Sequence, residues 1–446
     1  MSQRVPRILV VCLALAGCDT AAKPEPAPDT AVSAPAPTPP PPAEKTAPAP
    51  APVKAVEPAE PPPPPPRVAT ELKPVVVRSI NELTIDLQRK LAKQPGNLLV
   101  SGMSVAVALA QVHAGSGGAT AKELAKVLNI DAPADGLHAA FAGMLARWTH
   151  PDGNITLDAA SRLFGEQKFA FKPEFIDKTR TVFAAALEPL DLAAGDLTAA
   201  RDRINGWMRD RTGDHIDEVV PADALAATTR LLAADAAYFK ADWQEPFDAS
   251  ATTEQMFHGV EHRRPVPMMH AVQRLRLAFG LAGKIRVLEI PYKGGEYSMV
   301  ILLPSKRDGL KTMEKSISAA KLQSWLDAAK PISIDLKLPR FTLDSHVDLG
   351  PALFKLGAAR VFDPKKADLS GMASEKKLAL SAVHHRARLA VEERGSEATG
   401  VPAIEIAVGN APAQSIPFIV DHPFLFYIRD TRSGALLFYG RVTDPE

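Results

Sequence analysis

Eleven histidines and many serines make hydrolysis the first chemistry to consider. A serine nucleophile on a strand-to-helix elbow needs a glycine on either side so that the sharp turn can form. The nearest approach, Gly102-Met103-Ser104-Val105-Ala106, lacks the second glycine and opens a helix without a strand turn before it. No His-Glu-x-x-His run and no paired cysteines are present, so the usual zinc frameworks are missing. His384 and His385 are adjacent on a segment that alternates like a strand, and strand neighbours point to opposite faces, so they do not read as a chelating pair. The glycine-rich stretch at 115–118 lacks the lysine and the preceding strand of a phosphate cradle. An enzyme is not expected, and nothing calls for a metal or a cofactor.

Residues 381–410 point instead to a chain that is acted upon. Ala387, Leu389 and Val391 alternate with Arg388, Ala390 and Glu392, which is the pattern of a half-buried strand. Gly395, Ser396, Ala398, Thr399 and Gly400 then have little to bury and read as an exposed loop. Yet Ser396, Ala398 and Gly400 lie two apart, and small side chains at that spacing could slide between two existing strands without moving the layer beneath. The physical reading is a loop able to become a strand.

Other parts of the chain must hold and present that loop. About half of the 41 prolines precede Val75, in a tract too poor in aliphatic side chains to offset its ordering entropy. What remains, residues 71–446, is one large globular unit. The net charge of +1, without long basic runs, excludes a general attraction to nucleic acid. Arg4 and Arg7 precede an apolar run at 8–16, too short to span a bilayer permanently, so residues 1–17 read as a leader. Leu15-Ala16-Gly17-Cys18 resembles a bacterial lipobox, which implies lipid attachment at Cys18 and a membrane anchor. The expected location is the cell envelope: outer membrane, cell surface or periplasmic face, or release outside the cell. With Cys12 removed and Cys18 blocked, no thiol is left for a disulfide. Residues 18–70 would form a semi-rigid tether reaching on the order of 150 Å.

Within the globular unit, residues 79–93 carry a helical apolar stripe closed by Pro95-Gly96. Residues 105–112 are apolar all round and belong in a core helix. Thr120 with Glu123 has capping-box spacing. Strands are expected at 155–164 and 229–240, in a hairpin at 286–304 turning on Gly294-Gly295, and in two more joined near Ser433-Gly434. Helices in the first half and strands in the second make this an α+β domain.

The run EERGSEATG at 392–400 resembles the hinge of the reactive-centre loop of serpins. INGWMRDRTGDHIDEVV (204–220), TRLLAADAAYFKADWQEPFD (229–248), VLEIPYKGGEYSMVILLP (287–304), the stretch 338–372 and DHPFLFYIRDTRSGALLFYGRV (421–442) are similar to serpin signatures, in serpin order. The resemblance implies three β-sheets, eight or nine helices and an exposed loop. It implies a hinge of Glu393, Gly395, Ser396, Glu397, Ala398, Thr399 and Gly400. It places Trp243 at the top of the main sheet, where the loop enters. His385 matches a buried shutter histidine, whose partners would be Ser101, Ser104 and Asp235; serpins usually have asparagine at the last place. They also usually have proline where Gly102 stands, which should soften that helix start.

Counting seventeen residues from Glu393, as the resemblance implies, puts the scissile bond at Gly409-Asn410, with Val408-Gly409 and Asn410-Ala411 as alternatives. The expected function is suicide-substrate inhibition of a serine protease, or of a cysteine protease, by a monomer. No Lys or Arg lies between Gly395 and Ile428, and no aromatic residue before Phe418, so the targets should be elastase-like or subtilisin-like. The alternative is a non-inhibitory serpin serving as an envelope-tethered binding or scaffold module. Pro402 favours it, since a proline brings no N–H to a central strand.

Overall fold

The computed structural model of the chain describes residues 72–131, 136–149, 155–193, 196–375, 377–396 and 414–445. The leader, Cys18 and the tether lie outside the described residues, as do Glu397, Ala398, Thr399, Gly400, Pro402, Val408, Gly409, Asn410 and Ala411. The described chain opens with α1 (Lys73–Leu91), β1 (Leu98–Val100), α2 (Gly102–Ala114), α3 (Gly118–Val127) and α4 (Leu137–Trp148). Then come β2 (Ile155–Glu166), α5 (Pro173–Phe183), β3 (Glu188–Leu190), α6 (Thr198–Arg211) and β4 (Leu231–Asp242). The strands β5 (Thr253–His258), β6 (Arg263–Gly280), β7 (Ile285–Pro291) and β8 (Tyr297–Pro304) precede helices α7 (Leu310–Ser316) and α8 (Ala319–Ala328). The rest is β9 (Lys330–Pro339), β10 (Phe341–Asp348), α9 (Gly350–Leu356), β11 (Ala382–Val391), β12 (Gly395–Ser396), β13 (Ile416–Ile419), β14 (Phe424–Asp430) and β15 (Leu436–Val442).

The main sheet runs β10-β11-β4-β2-β3, with β12 attached to β4. The remaining strands form a second hydrogen-bonded network. In it β6 changes partners along its length, pairing with β5 near its start, β9 in the middle and β7 at its end. Two of the three expected sheets are thus continuous through β6.

β4 is apolar nearly throughout because both of its faces are covered. Leu231, Ala233, Ala237, Phe239 and Ala241 join the large core, which includes α2. Leu232, Ala234, Ala236 and Tyr238 face a smaller cluster containing Ile204, Trp207 and Met208 of α6. α2 is buried from Gly102 to Val112, as its all-round apolar sequence requires. The Gly102 substitution has a packing counterpart: a Cβ there would lie 1.8 Å from the Thr84 hydroxyl of α1.

Two local expectations need correction. α1 begins at Lys73 rather than Ser79, because Pro74 fits a first helical turn that needs no N–H there. The capping box at Thr120 and Glu123 does not form: α3 starts at Gly118 with Gly117 as its N-cap. Tertiary partners take both side chains, since the Thr120 hydroxyl accepts from Asp368 N and Glu123 binds Arg360.

Candidate functional site

The seam between β4 and β11 is where the fold and the loop meet. These strands pair in parallel over eight residues, from Ala382 opposite Leu232 to Leu389 opposite Phe239. Beyond Val391 the chain turns through Glu392, Glu393 and Arg394, and β12 returns antiparallel along β4, Gly395 opposite Asp242 and Ser396 opposite Ala241. Gly395 and Ser396, the paired residues of the expected hinge, therefore lie at the head of the seam. Only glycine permits this approach at position 395, because a Cβ would lie 2.1 Å from the Ala241 carbonyl oxygen and 2.6 Å from Asp242 Cα.

Trp243 stands at this head and is 1% exposed. Its indole Nε1 donates to Glu392 O at 2.9 Å, and its backbone N donates to Arg394 O at 2.8 Å. Glu393 accepts from the Thr252 hydroxyl at 2.8 Å and lies 3.7 Å from the Arg340 guanidinium. One residue of the site escaped sequence reading. Tyr292 stacks on Trp243 with centroids 4.5 Å apart and planes 6° apart, and its hydroxyl meets the buried Ser396 hydroxyl at 2.8 Å. Burial pushes the Tyr292 phenol far above its ordinary range, so this contact stays a neutral hydroxyl pair. Its signals in the sequence were a place beside the Gly294-Gly295 turn and within the serpin-like stretch 287–304, and neither names a partner 104 positions away.

Halfway down the seam, Ser101, Ser104, Asp235 and His385 come together, all fully buried. Asp235 and His385 are register partners across β4 and β11, with His385 Nδ1 at 2.5 Å from Asp235 Oδ2. Ser101 N donates to His385 Nε2 at 3.0 Å, which leaves the ring proton on Nδ1, donated to Asp235. The Ser104 hydroxyl donates to the same Asp235 oxygen at 2.8 Å. Ser101 also caps α2, its hydroxyl accepting from Ser104 N. Among the described residues, Asp235 Oδ1 has no hydrogen-bond partner.

His384 points to the opposite face, as strand geometry demanded. Its ring lies 5.5 Å from that of His346 at an 18° angle, and burial lowers its pKa. The site thus comprises a closed seam, a buried polar tie across it, and Gly395 and Ser396 seated at its head.

The comparisons with known proteins agree. A family model described as Serpin (serine protease inhibitor) matches residues 78–445. Leukocyte elastase inhibitor A of Rattus norvegicus is 36% identical over 361 residues, covering 78% of this chain and 93% of that protein. Serpin B8 of Homo sapiens is 34% identical over 351 residues, with the same coverage. Among solved structures, Serpin48 of Tenebrio molitor superposes with a TM-score of 0.75 at 29% identity, over 85% of this chain and 100% of that one. Matched from residue 78 to residue 445, this chain belongs to the serpin family.

Proposed function

We propose that this chain is a suicide-substrate inhibitor of serine proteases with elastase-like or subtilisin-like specificity, exported and anchored at the bacterial envelope through Cys18. A protease serine Oγ would attack the Gly409 carbonyl, form an ester and release Asn410 as a free amine, the serine proton passing to that leaving group. The freed loop would then enter the seam and carry the acylated protease with it before hydrolysis.

The observation that carries this reading is the register of β12 on β4. Continued down the seam, it sets Ala398 opposite Phe239, Gly400 opposite Ala237, Pro402 opposite Asp235, Ile404 opposite Ala233 and Ile406 opposite Leu231. These β4 residues, like Ser396, face the core side of the sheet. Small residues would thus enter first and apolar ones last, while Glu397 and Glu405 would face away. Closing about a dozen new rungs, at roughly 0.5–1.5 kcal/mol each, supplies on the order of 10 kcal/mol. Pro402 takes back about 1–3 kcal/mol through its missing N–H. The drive survives, but the entry slows.

The entering strand replaces one inter-strand spacing of about 4.8 Å by two. The His385 to Asp235 contact, at 2.5 Å, would therefore break, which makes it a lock on the closed state. The relatives named as elastase inhibitors support the target class.

The second reading, an envelope-tethered binding or scaffold module, draws on Pro402 at the middle of the entering segment. Incubation with an elastase-like protease separates the two. Inhibition yields an SDS-stable covalent complex and a released peptide starting at Asn410, whereas the second reading yields cleaved product alone. A cut outside residues 407–411 overturns the count that places the bond.

A further inference from the structure

At the foot of the seam, below the last β4 to β11 rung, lies a cavity of about 390 Å³ that neither the hinge nor the buried tie uses. Its wall includes Thr228, Thr229 and Arg230 on one side, Ser381 on the other, and Phe362 and Lys377 beyond. Ser381 N donates to Leu231 O at 2.7 Å and Arg230 N donates to the Ser381 hydroxyl at 3.0 Å, so the cavity opens where the two strands are last tied. Two cations line it. Arg230 spends Nη1 on Ala227 O and Thr229 O, and its Nε and Nη2 have no protein acceptor among the described residues. Neither Arg230 nor Lys377 has an ion-pair partner among the described residues. Hydroxyl groups beside two cations with no carboxylate partner among the described residues, against apolar Phe362, describe a site for a carboxylate on a small aliphatic body.

The register of β12 says which carboxylate reaches it. Ser396 opposite Ala241 fixes a one-for-one antiparallel count, which brings Ala407 opposite Arg230 and carries Gly409 two residues beyond it, where the chain of β4 has turned at 226–229, Thr229 N donating to Ala226 O at 2.7 Å. A chain cut after Gly409 would end in the cavity, and Gly409 lies about 7 Å past the Arg230 rung at roughly 3.4 Å per residue, within reach of a guanidinium. We propose that this cavity is a carboxylate site whose ligand is the new C-terminus at Gly409, made when the loop is cut and hydrolysed. The inference rests on loop entry and adds where the strand ends and what holds its end. It has a chemical consequence. While the protease is attached, the Gly409 carbonyl is an ester and carries no charge. The site therefore acts only after water has released the enzyme, and it stabilises the cleaved, protease-free form.

The experiment uses the intact protein and a synthetic peptide of residues 397–409, labelled at its amino end, made once as the free acid and once as the C-terminal amide. Peptide retention is followed by native gel and fluorescence. The acid should be held at least ~10-fold more tightly than the amide, the scale of one charge-assisted contact, and the ratio should shrink as salt is raised. Lys377→Gln should reduce the ratio below ~3-fold. Arg230 also holds its own turn, so its replacement risks misfolding, and the Lys377 variant with the salt series carries the test. Equal retention of acid and amide would overturn the carboxylate site while leaving loop entry intact. An acid advantage unchanged in Lys377→Gln would place the carboxylate elsewhere and overturn it too. Retention of neither peptide would remove the loop-entry reading, and this inference with it.

Discussion

Replacing Asp235 by asparagine should loosen the seam without emptying it. Asp235 Oδ2 accepts two hydrogen bonds, from His385 Nδ1 across the seam and from the Ser104 hydroxyl beneath it. An asparagine oxygen can accept both, but as a neutral group. A hydrogen bond to a charged partner is worth about 1.5–3 kcal/mol and a neutral one about 0.5–1.5, so each contact weakens by about 1 to 1.5 kcal/mol. Only the His385 bond spans the two strands that must part. The barrier to opening should therefore fall by that amount, or about tenfold in rate. A separate cost falls on the fold: the new amide would point where Asp235 Oδ1 has no partner among the described residues, leaving N–H groups unsatisfied at about 1–3 kcal/mol. The assay is loss of complex-forming activity at fixed temperature as the uncut loop enters its own sheet, run beside a melting curve. Ser104→Ala is the control, since it removes a bond to the same oxygen that does not cross the seam. It should lower the melting temperature with little change in rate. If Asp235→Asn melts lower yet converts within twofold of the parent rate, the bond does not lock the seam.

Gly395→Ala should expel the hinge from the head of the seam, because its Cβ meets backbone atoms of Ala241 and Asp242 that cannot give way. More protein should then be cleaved per complex formed, read from the stoichiometry of inhibition. Ser396→Arg should abolish complex formation while leaving the loop cleavable, since a charged side chain would replace a fully buried hydroxyl against Tyr292. Acid should weaken the fold at a place remote from the seam. His138 accepts or donates to His113 at 2.9 Å, and burial, with Lys178 and His113 nearby, lowers its pKa from 6.5 to about 4. The unfolded chain then takes a proton first as pH falls, so stability should be full above about 6.5 and drop by up to about 3 kcal/mol towards pH 4. His138→Gln should flatten that part of the stability profile measured by urea unfolding.

What could be read in advance depended on how far apart in the chain the partners lie. The alternation of Ala387, Leu389 and Val391 is local, and β11 buries these three side chains. Trp243, His385, Asp235 and the two serines could be brought together only because their surroundings resemble serpin signatures, since no periodicity links residues on α2, β4 and β11. Tyr292 lies inside the serpin-like stretch at 287–304, yet its role was not read from it: its phenol finds Ser396 through a fold that pairs distant segments, and a tyrosine beside a hairpin turn carries no mark of that. The failure at Thr120 and Glu123 has the same origin. The local spacing was right for a cap, but Asp368 and Arg360, more than two hundred residues downstream, offered better partners. The foot of the seam was equally hidden, because Arg230 and Lys377 become neighbours of one cavity only once β4 and β11 pair.

Strand entry itself is tested most directly by melting the protein before and after its loop is nicked by a protease that it does not trap. Entry would part the eight rungs between β4 and β11 and re-pair both strands with the loop, a net gain of about a dozen rungs, so the nicked protein should melt on the order of 10 degrees higher than the intact one. An unchanged or lower melting temperature would mean that the seam stays shut, and would contradict inhibition by loop insertion.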